Sequence, residues 1–382
     1  MSRPAFAVIL FALLLAACGG GGEPVPIPTP TPTAADTPTP ASTSTPAPTP
    51  TVAIPNVEPA SGISLPPGFT AYIIARGLSL PTSVALSPGG AIYVSQYGGT
   101  VLRLEDTNGD GVFDGKVEYA ADLFFANGIV FAPDGSLYVS SQGRVSIVRD
   151  TDGDTVGDQT DAIITGLPLG GHQNNGLAFG PDGKLYVTNG STCNDCIEED
   201  EVSATILQAN PDGSDLRVYA RGLRNSYDLT FDPQGRLWAT DNGSDPPCNT
   251  TDELNLIEEG GDYGWPYRPA CENFQSGIPP IASLGLNTGS TGIDYYDGDQ
   301  FPAEYQGNLF ITLWGSNATA PNPGGKLLVR AIIHEVPEGP QVTIEEFGTG
   351  FPNPIDVVVD RDGTLLVLDF SGALYRIVYT GD

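Results

Sequence analysis

Basic residues are scarce in this sequence. Its 382 residues include 16 lysines and arginines against 46 aspartates and glutamates, which gives a formal net charge of −30. A chain with this charge is repelled by phosphate backbones and by anionic lipid headgroups. We therefore expect no nucleic-acid partner and no attraction of the protein itself to an anionic membrane.

Long hydrophobic runs are also missing. The apolar run from Ala7 to Ala17 has eleven residues, whereas a helix that crosses a bilayer needs about 20. The run ends in the letters LAAC, and this ending resembles the lipobox of bacterial lipoproteins. The resemblance implies a lipoprotein signal peptide over 1–17, a lipid on Cys18, and an extracytoplasmic position in the bacterial cell envelope, anchored only through that lipid. The alternative is an ordinary secretion signal with a chance cysteine.

Composition divides the rest of the chain into two parts. Residues 18–62 are rich in glycine, then in proline and threonine, as in PVPIPTPTPT. They offer almost no apolar side chains to bury, so we interpret them as a linker. Residues 63–382 contain ample valine, isoleucine, leucine and aromatic residues, which predicts one large domain.

Only five cysteines are present. Apart from Cys18 they are Cys193, Cys196, Cys248 and Cys271. Two disulfides are the expectation for an exported protein, and of the three possible pairings we favour 193 with 196 and 248 with 271. A zinc site is the alternative, although no histidine and no second close cysteine pair lie near these positions.

A repeated segment decides the predicted architecture. Its six copies are SPGGAIYVS at 87–95, APDGSLYVS at 132–140, GPDGKLYVT at 180–188, DPQGRLWAT at 232–240, EYQGNLFIT at 304–312 and DRDGTLLVL at 360–368. Each copy is typical of a hairpin, in which a turn glycine with positive φ separates two short strands. Further short strands follow in several units, and no long amphipathic helix is evident. The pattern predicts an all-β fold, a six-bladed β-propeller.

Histidine, the side chain best suited to take a proton near neutral pH, occurs only twice in the chain. In a propeller the first strand of each blade lines the channel, so residues just before it gather at one mouth. His172 and Arg224 each stand eleven positions before the turn glycine of their unit, and the next positions are Gln173, Asn225 and, in the last unit, Asn353. A base, a permanent cation and amides at one mouth suit an anionic cofactor and a polar substrate. The other histidine, His334, has no such support and is expected to be structural or exposed.

Three motifs occur in order across about 164–266: GLPLGGHQNNGLAFGPDGKLYVT, GLRNSYDLTFDPQGRLWATDNG and DELNLIEEGGDYGWP. The series resembles the soluble sugar dehydrogenases that depend on pyrroloquinoline quinone (PQQ), often called the glucose/sorbosone dehydrogenase family. The resemblance implies a six-bladed propeller and an enzyme that oxidises an aldose or related sugar by hydride transfer to PQQ. The first and last blades match this family only as generic blades.

The resemblance also assigns site residues. It implies that His172 is the general base and that Arg224 polarises the quinone oxygen. The implied cofactor-binding residues are Gln173, Asn225, Asn242, Gly243 and Lys326. The implied calcium ligands in the same loop are Gly243 and Ser244, through carbonyl oxygens, with Asp252 and Glu253 beside the loop.

The sequence departs from the family pattern at two places. Glucose-oxidising members carry an aspartate before the histidine, where this chain has Gly171. They also carry arginines at the start of the last blade, where this chain reads FPNP from Phe351 to Pro354. The loss of one or two charged contacts weakens cofactor affinity by about 1.5–3 kcal/mol each. Retention of the cofactor is therefore the point to test.

Two acidic loops are candidate structural calcium sites. Their oxygen ligands stand at alternating positions with a further acid near position nine, as in the first part of an EF-hand loop. The first loop offers Asp106, Asn108, Asp110 and Asp114, and the second Asp150, Asp152, Asp154 and Asp158. The glutamate of position twelve is missing from both. The alternative is a pair of acidic turns stabilised by local hydrogen bonds.

These observations favour a quinoprotein sugar dehydrogenase with PQQ and calcium, a sugar substrate, an electron acceptor of unknown identity and a monomeric state. The alternative is a non-catalytic cell-surface propeller that binds carbohydrate or protein, since a fold does not fix a function. A metal-dependent, lactonase-like propeller is a weaker option. It would need several carboxylates in the channel, whereas the repeat register brings a histidine, an arginine and amides to its mouth.

Overall fold

A computed structural model describes residues 57–245, 250–266, 277–315 and 324–381. The predicted signal peptide, the predicted lipid site Cys18, most of the predicted linker, and both Cys248 and Cys271 lie outside the described residues. The described part of the chain contains no helix with the length and hydrophobicity needed to cross a bilayer.

The described strands form six four-stranded antiparallel sheets, which are the blades of a propeller. Blade 1 consists of β2 (Pro81–Leu86), β3 (Ile92–Gln96), β4 (Val101–Glu105) and β5 (Gly115–Ala120). Blade 2 consists of β6 (Gly128–Phe131), β7 (Leu137–Ser141), β8 (Arg144–Arg149) and β9 (Gln159–Thr165). Blade 3 consists of β10 (Asn174–Phe179), β11 (Leu185–Asn189), β12 (Thr205–Ala209) and β13 (Arg217–Arg221).

The second half of the ring repeats this order. Blade 4 consists of β14 (Leu229–Phe231), β15 (Leu237–Asp241), β16 (Thr251–Ile257) and β17 (Ala282–Leu286). Blade 5 consists of β18 (Ser290–Tyr295), β19 (Leu309–Leu313), β20 (Leu327–Val336) and β21 (Gly339–Thr349), with a short 3-10 helix, Ala303–Tyr305, between β18 and β19. Blade 6 consists of β22 (Pro354–Val359), β23 (Leu365–Asp369), β24 (Ala373–Tyr379) and β1 (Phe69–Arg76). The predicted all-β, six-bladed fold is confirmed.

The turn glycines behave as the repeat predicts. All six have positive φ values between 73° and 89°, and they are Gly90, Gly135, Gly183, Gly235, Gly307 and Gly363. Residues with a Cβ rarely adopt this conformation, so glycine fixes each hairpin between the first and second strands of a blade. Because the turn fixes the register, residues at equal distances before it take equivalent places in the ring.

The ring is closed by the first strand of the chain, which the repeat does not predict. β1 pairs antiparallel with β24, from Phe69 opposite Tyr379 to Arg76 opposite Ala373. Phe69 packs this strand against neighbouring aromatic side chains. Its ring lies edge-on to Phe301 at 4.8 Å and to Phe347 at 5.0 Å between ring centres. Closure removes the free edge that blade 6 would otherwise expose.

The core lies between neighbouring blades. The second strand of each blade is sandwiched between two neighbours, so both of its faces are covered: every residue of β11, β15, β19 and β23 is buried. The outer strand is more open, as β13 illustrates with two exposed residues out of five. Between blades 3 and 4 the buried side chains include Tyr186, Leu229 and Leu237.

Candidate active site

The predicted site residues lie on loops at one end of the propeller. Successive strands of a blade are antiparallel, so the start of the first strand and the loop between the second and third strands share one end. His172 and Arg224 precede β10 and β14, and the 242–244 loop follows β15. Lys326 precedes β20 on the same side. The structure therefore brings together the residues that the register and the family resemblance single out.

His172 is fixed through its main chain and has a partly buried ring. Its N–H donates to the Ser191 carbonyl at 3.0 Å, and among the described residues its ring nitrogens have no hydrogen-bond partner. Burial, followed by the positive charge of Arg224, lowers the pKa of the ring from 6.5 to about 3. The imidazole is therefore neutral near pH 7 and able to accept a proton.

Gly190 provides the space that His172 occupies. A Cβ at this position would lie 2.6 Å from the His172 Cβ and 3.1 Å from the Asn225 Oδ1. Gly171, which precedes His172 in the chain, is less crowded. A Cβ there would lie 3.5 Å from its nearest atom, the Thr192 carbonyl oxygen, which is an ordinary contact distance. The absence of a side chain at Gly190 thus sets where His172 lies.

Arg224 is 3% exposed, and all five of its guanidinium N–H donors have acceptors. Nε donates to the Asn194 carbonyl at 3.0 Å and Nη2 to the Asn194 Oδ1 at 2.7 Å. Nη1 donates to the carbonyls of Asn242 at 3.2 Å and Gly243 at 2.7 Å. The fifth donor pairs with Asp245 at 3.0 Å, and that carboxylate is 64% exposed.

Two buried carboxylates hold the main chain around Arg224. Asp241 Oδ2 accepts the Arg224 N–H at 3.0 Å, and its Oδ1 accepts the Asn225 N–H at 2.7 Å. Asp252 Oδ1 accepts the Gly243 N–H at 2.9 Å, so this acid shapes the loop beside it. Burial raises the pKa of both acids. It also raises the pKa of neighbouring Glu253 to about 7.

The three equivalent amides link neighbouring blades. Gln173 Nε2 donates to the Phe125 carbonyl at 3.0 Å, and Asn353 Nδ2 donates to the Trp314 carbonyl at 3.1 Å. Asn225 Oδ1 accepts from Asn175 Nδ2 at 3.0 Å, while its own Nδ2 has no hydrogen-bond partner in the described chain. Asn225 is therefore the one of the three equivalent amides whose side-chain nitrogen donates to no described residue, so both of its N–H groups are available to a ligand.

Lys326 is exposed and folds over Gly315, where a Cβ would lie 2.9 Å from the lysine Cγ. No ion pair joins it to a described residue. An ammonium without a counter-ion suits an anionic ligand such as a carboxylate.

The two acidic loops lie at the opposite end from His172, because each joins the third and fourth strands of a blade. In the second loop, carboxylate oxygens of Asp150, Asp152 and Asp158 lie within 4.8 Å of one another. Local bonds also engage these acids. Asp158 accepts from the Thr151 Oγ1 at 2.8 Å, and in the first loop Asp114 accepts from the Thr107 Oγ1 at 2.8 Å. Whether either loop binds calcium stays a prediction.

The predicted disulfide between Cys193 and Cys196 is confirmed. It closes a short loop between β11 and β12 at the same mouth as His172. The predicted pair of Cys248 and Cys271 lies outside the described residues.

Sequence reasoning missed the carboxylates that line the channel. Asp228, Asp294 and Asp356 border a cavity of about 460 Å³ enclosed by the first strands. Each accepts a main-chain N–H of the next blade: Ile293 donates to Asp228 at 3.1 Å, Val359 to Asp294 at 2.8 Å and Val84 to Asp356 at 2.7 Å. First strands of neighbouring blades do not pair with one another, so these carboxylates satisfy their free N–H groups. The signal in the sequence was an aspartate within or just before a channel-lining strand.

Also missed were Asn174 and Asn175, in the HQNN segment that follows the general-base candidate. Asn175 Oδ1 accepts from Asn127 Nδ2 at 2.9 Å and its Nδ2 donates to Asn225, so the amides of blades 2, 3 and 4 form a chain. Two buried amides in a strand that faces the channel were the available signal.

Apolar surface is concentrated on the mouth that holds His172. Among the described residues, six of the eight exposed large hydrophobic residues lie on loops or strand ends at this end: Leu80, Tyr97, Phe124, Leu169, Ile197 and Leu286. Tyr97 also packs edge-on against Phe125 at 4.5 Å. This mouth therefore offers a ligand more apolar surface than the opposite end does.

The fold and this mouth define a six-bladed β-propeller with a candidate base and a buried cation at one end of its channel. Comparison with known proteins then gives the family: a family described as "Domain of unknown function (DUF7133)" matches residues 87–371, and the chain belongs to it. An uncharacterized protein of Borreliella burgdorferi is 29% identical over 203 residues, which are 46% of this chain and 52% of that protein. The chain thus spans about half the length of that relative.

The resemblance expected from the three motifs is confirmed. Quinoprotein glucose dehydrogenase B of Acinetobacter calcoaceticus is 39% identical over 67 residues, which are 17% of this chain and 13% of that enzyme. The PQQ-bound structure of an aldose sugar dehydrogenase from Streptomyces coelicolor is similar with a TM-score of 0.63 and 22% identity, over 85% of this chain and 99% of that one. At that identity the structural similarity establishes the fold.

Proposed function

We propose that this protein is a PQQ-dependent dehydrogenase that oxidises an aldose or a related sugar. The observation that carries the proposal is the His172 ring, which is neutral near pH 7 and has no hydrogen-bond partner among the described residues. The ring nitrogens are absent from the fully buried, unpaired polar atoms of the described residues, so they are open to the mouth, where a substrate hydroxyl can reach them. The names of the relatives, a quinoprotein glucose dehydrogenase and an aldose sugar dehydrogenase, support the same chemistry.

The donors at the mouth suit a polycarboxylate quinone. Lys326 is an unpaired ammonium and Asn225 keeps a free amide N–H. Arg224 is a buried cation whose outermost partner, Asp245, is 64% exposed. Because the Asp245 carboxylate reaches solvent, an anionic ligand can take its place and keep the buried guanidinium paired with a negative charge. We assign the holding of the cofactor to Arg224, Asn225 and Lys326, with Gln173 and Asn242 beside them.

PQQ supplies the hydride acceptor when it is bound. The chain supplies the proton acceptor, because a ring nitrogen of His172 can take the proton from the substrate hydroxyl. Arg224 supplies a fixed positive charge at the place where negative charge develops. The exposed aromatic and aliphatic side chains around the mouth offer apolar surface to the face of a sugar ring.

Calcium is the second part of the proposal. Carbonyl oxygens are suitable ligands for this ion, and the 242–244 loop carries several of them. The Asn242 and Gly243 carbonyls already accept hydrogen bonds from Arg224 Nη1. Calcium bound there would therefore share these oxygens with a guanidinium, and calcium affinity should depend on where Arg224 lies.

The proposal is tested by adding PQQ to the purified domain, residues 63–382, with and without calcium. Binding is followed by calorimetry, and turnover by dye reduction with a panel of aldoses and sugar alcohols. Tight binding of PQQ and reduction with at least one sugar are expected. Absence of tight PQQ binding would overturn the proposal and favour the non-catalytic carbohydrate- or protein-binding propeller.

We further propose that the protein is a lipoprotein held outside the cytoplasm through Cys18. The LAAC ending of the apolar run supports this location. Metabolic labelling with a palmitate analogue should tag the full-length protein, and Cys18→Ser should abolish the label. Persistence of the label in this variant would refute the lipid anchor at Cys18.

A further inference from the structure

The loop closed by the Cys193–Cys196 disulfide reaches across to Arg224 on the next blade. Its Asn194 binds the guanidinium twice, through the carbonyl to Nε at 3.0 Å and through Oδ1 to Nη2 at 2.7 Å. These two bonds use two of the five N–H donors, as many as the 242–243 carbonyls use. Asn194 thus supplies two of the five acceptors around the guanidinium, the 242–243 carbonyls two more and Asp245 the fifth.

Asn194 also binds Asp245, the carboxylate partner of Arg224. Its Oδ1 accepts the Asp245 N–H at 2.9 Å, and its Nδ2 donates to the Asp245 carbonyl at 3.3 Å. The Ser244 Oγ donates to the Asn194 carbonyl at 3.4 Å. One side chain therefore connects the disulfide loop of blade 3 to the Arg224-binding loop of blade 4.

The disulfide loop is itself firmly anchored. Glu198 accepts from the Thr192 N–H at 2.8 Å and from the Thr192 Oγ1 at 2.6 Å. Cys193 packs against buried Ala204 and Trp265. The same loop holds the general-base candidate, because the Ser191 carbonyl accepts the His172 N–H at 3.0 Å.

We propose that Asn194 is a positioning residue that holds the Arg224 guanidinium beside His172, and that the Cys193–Cys196 disulfide fixes Asn194 in place. The value of this position for catalysis rests on the function proposed above. The positioning itself does not, and it can be measured without cofactor or substrate.

His172 reports on the position of Arg224. Six acidic residues lie on the surrounding loops, and Arg224 is the one charged group that acts on the pKa of this ring. The acidic residues are Asp195, Glu198, Glu199, Asp200, Glu201 and Asp245. A guanidinium that moves away should let that pKa rise. The chain contains only two histidines, so nuclear magnetic resonance can follow each imidazole separately, with His334 as an internal reference.

The experiment titrates the cofactor-free protein, as the wild type and as four variants. Asn194→Ala removes the side-chain bonds, and Cys193→Ser with Cys196→Ser releases the loop. Asn210→Ala is the matched control, because Asn210 makes similar side-chain bonds to Ser214 and Asp215 in a turn at the opposite end of blade 3. Far-ultraviolet circular dichroism and melting temperature establish that each variant is folded.

We expect the His172 pKa to rise in Asn194→Ala, because the positive charge of Arg224 lowers it, and to rise further in the double cysteine variant. The His172 pKa should stay unchanged in Asn210→Ala, and the His334 signals should stay unchanged in every variant. Arg224→Gln removes the positive charge altogether and should therefore give the largest rise in the His172 pKa. An unchanged His172 signal in folded Asn194→Ala, with a clear rise in Arg224→Gln, would overturn the proposal.

A second readout tests the link to function. If PQQ binds, Asn194→Ala should weaken its affinity about tenfold, whereas Asn210→Ala should leave it unchanged. Failure of the wild type to bind PQQ would count against the proposed function and leave the His172 titration as the test of positioning. Normal PQQ affinity in Asn194→Ala together with an unshifted His172 would refute both parts of this inference.

Discussion

His172 and Arg224 are joined through a single residue. Ser191 accepts the His172 N–H on its carbonyl at 3.0 Å and donates its own N–H to the Arg224 carbonyl at 2.7 Å. The two residues belong to the entry segments of blades 3 and 4, and Ser191 follows the second strand of blade 3. The candidate base and the candidate cation therefore have a fixed main-chain separation.

Replacing His172 should remove turnover and leave the fold and the cofactor affinity largely intact. A positioned general base contributes about 10²- to 10⁴-fold to a rate, so His172→Ala should lose activity by that factor in the dye-reduction assay. His334→Ala is the matched control, because His334 is exposed and its ring bonds only the Thr343 Oγ1 among the described residues, at 3.1 Å. Full activity in His172→Ala would refute its role as base.

A methyl group at Gly190 should displace the base, whereas one at Gly171 should not. The Gly190 Cβ would lie 2.6 Å from the His172 Cβ, closer than real Cβ atoms approach, and the Gly171 Cβ would make only ordinary contacts. We expect Gly190→Ala to lower kcat at least tenfold and Gly171→Ala to retain most activity. Equal activities in the two variants would contradict this account of how His172 is positioned.

Asp241 should stabilise the fold more than Asp245 does, although both contact Arg224. Asp241→Asn leaves one of two buried main-chain N–H groups without an acceptor, which costs about 1–3 kcal/mol. Asp245→Asn should cost less, because this side chain is 64% exposed and its amide oxygen can still accept the bond from Arg224 Nη2. Urea unfolding of both variants measures the difference. A larger loss in Asp245→Asn would contradict the proposed order.

The channel carboxylates should make stability fall as the pH rises. Burial raises the pKa of Asp294 to about 6 and that of Asp356 to about 7. The folded state thus binds these protons more tightly than the unfolded state, in which aspartate has a pKa of about 4. Their contribution is fully present below about pH 4 and is lost as the pH rises through 6 and 7.

Urea unfolding between pH 4 and pH 7 tests this expectation. In Asp294→Asn the amide mimics the protonated acid, so the fall in the free energy of unfolding should be smaller than in the wild type. Asp299→Asn, which removes an exposed carboxylate of the same blade, serves as the control. A steeper fall in Asp294→Asn than in the wild type would show that the sign is wrong.

The sequence by itself determined the blades and the mouth. A turn glycine needs a positive φ, and each such turn fixes the register of the strand before it, so counting back from Gly183 and Gly235 was enough to bring His172 and Arg224 to one end. The Cys193–Cys196 disulfide was equally local, because its two residues are three positions apart. These features depend on short stretches of chain.

Only the tertiary structure decided how the ring closes and what surrounds the site residues. β1 completes blade 6 across some 300 residues of chain, and no repeat signal marks that pairing. The channel acid Asp356 accepts a hydrogen bond from Val84, 272 positions away. Arg224 was identified as a cation, but its cradle comes from Asn194, the 242–243 carbonyls and Asp245, which the ring brings together. These contacts depend on how the blades pack against one another, and the spacing of residues in the sequence does not encode that packing.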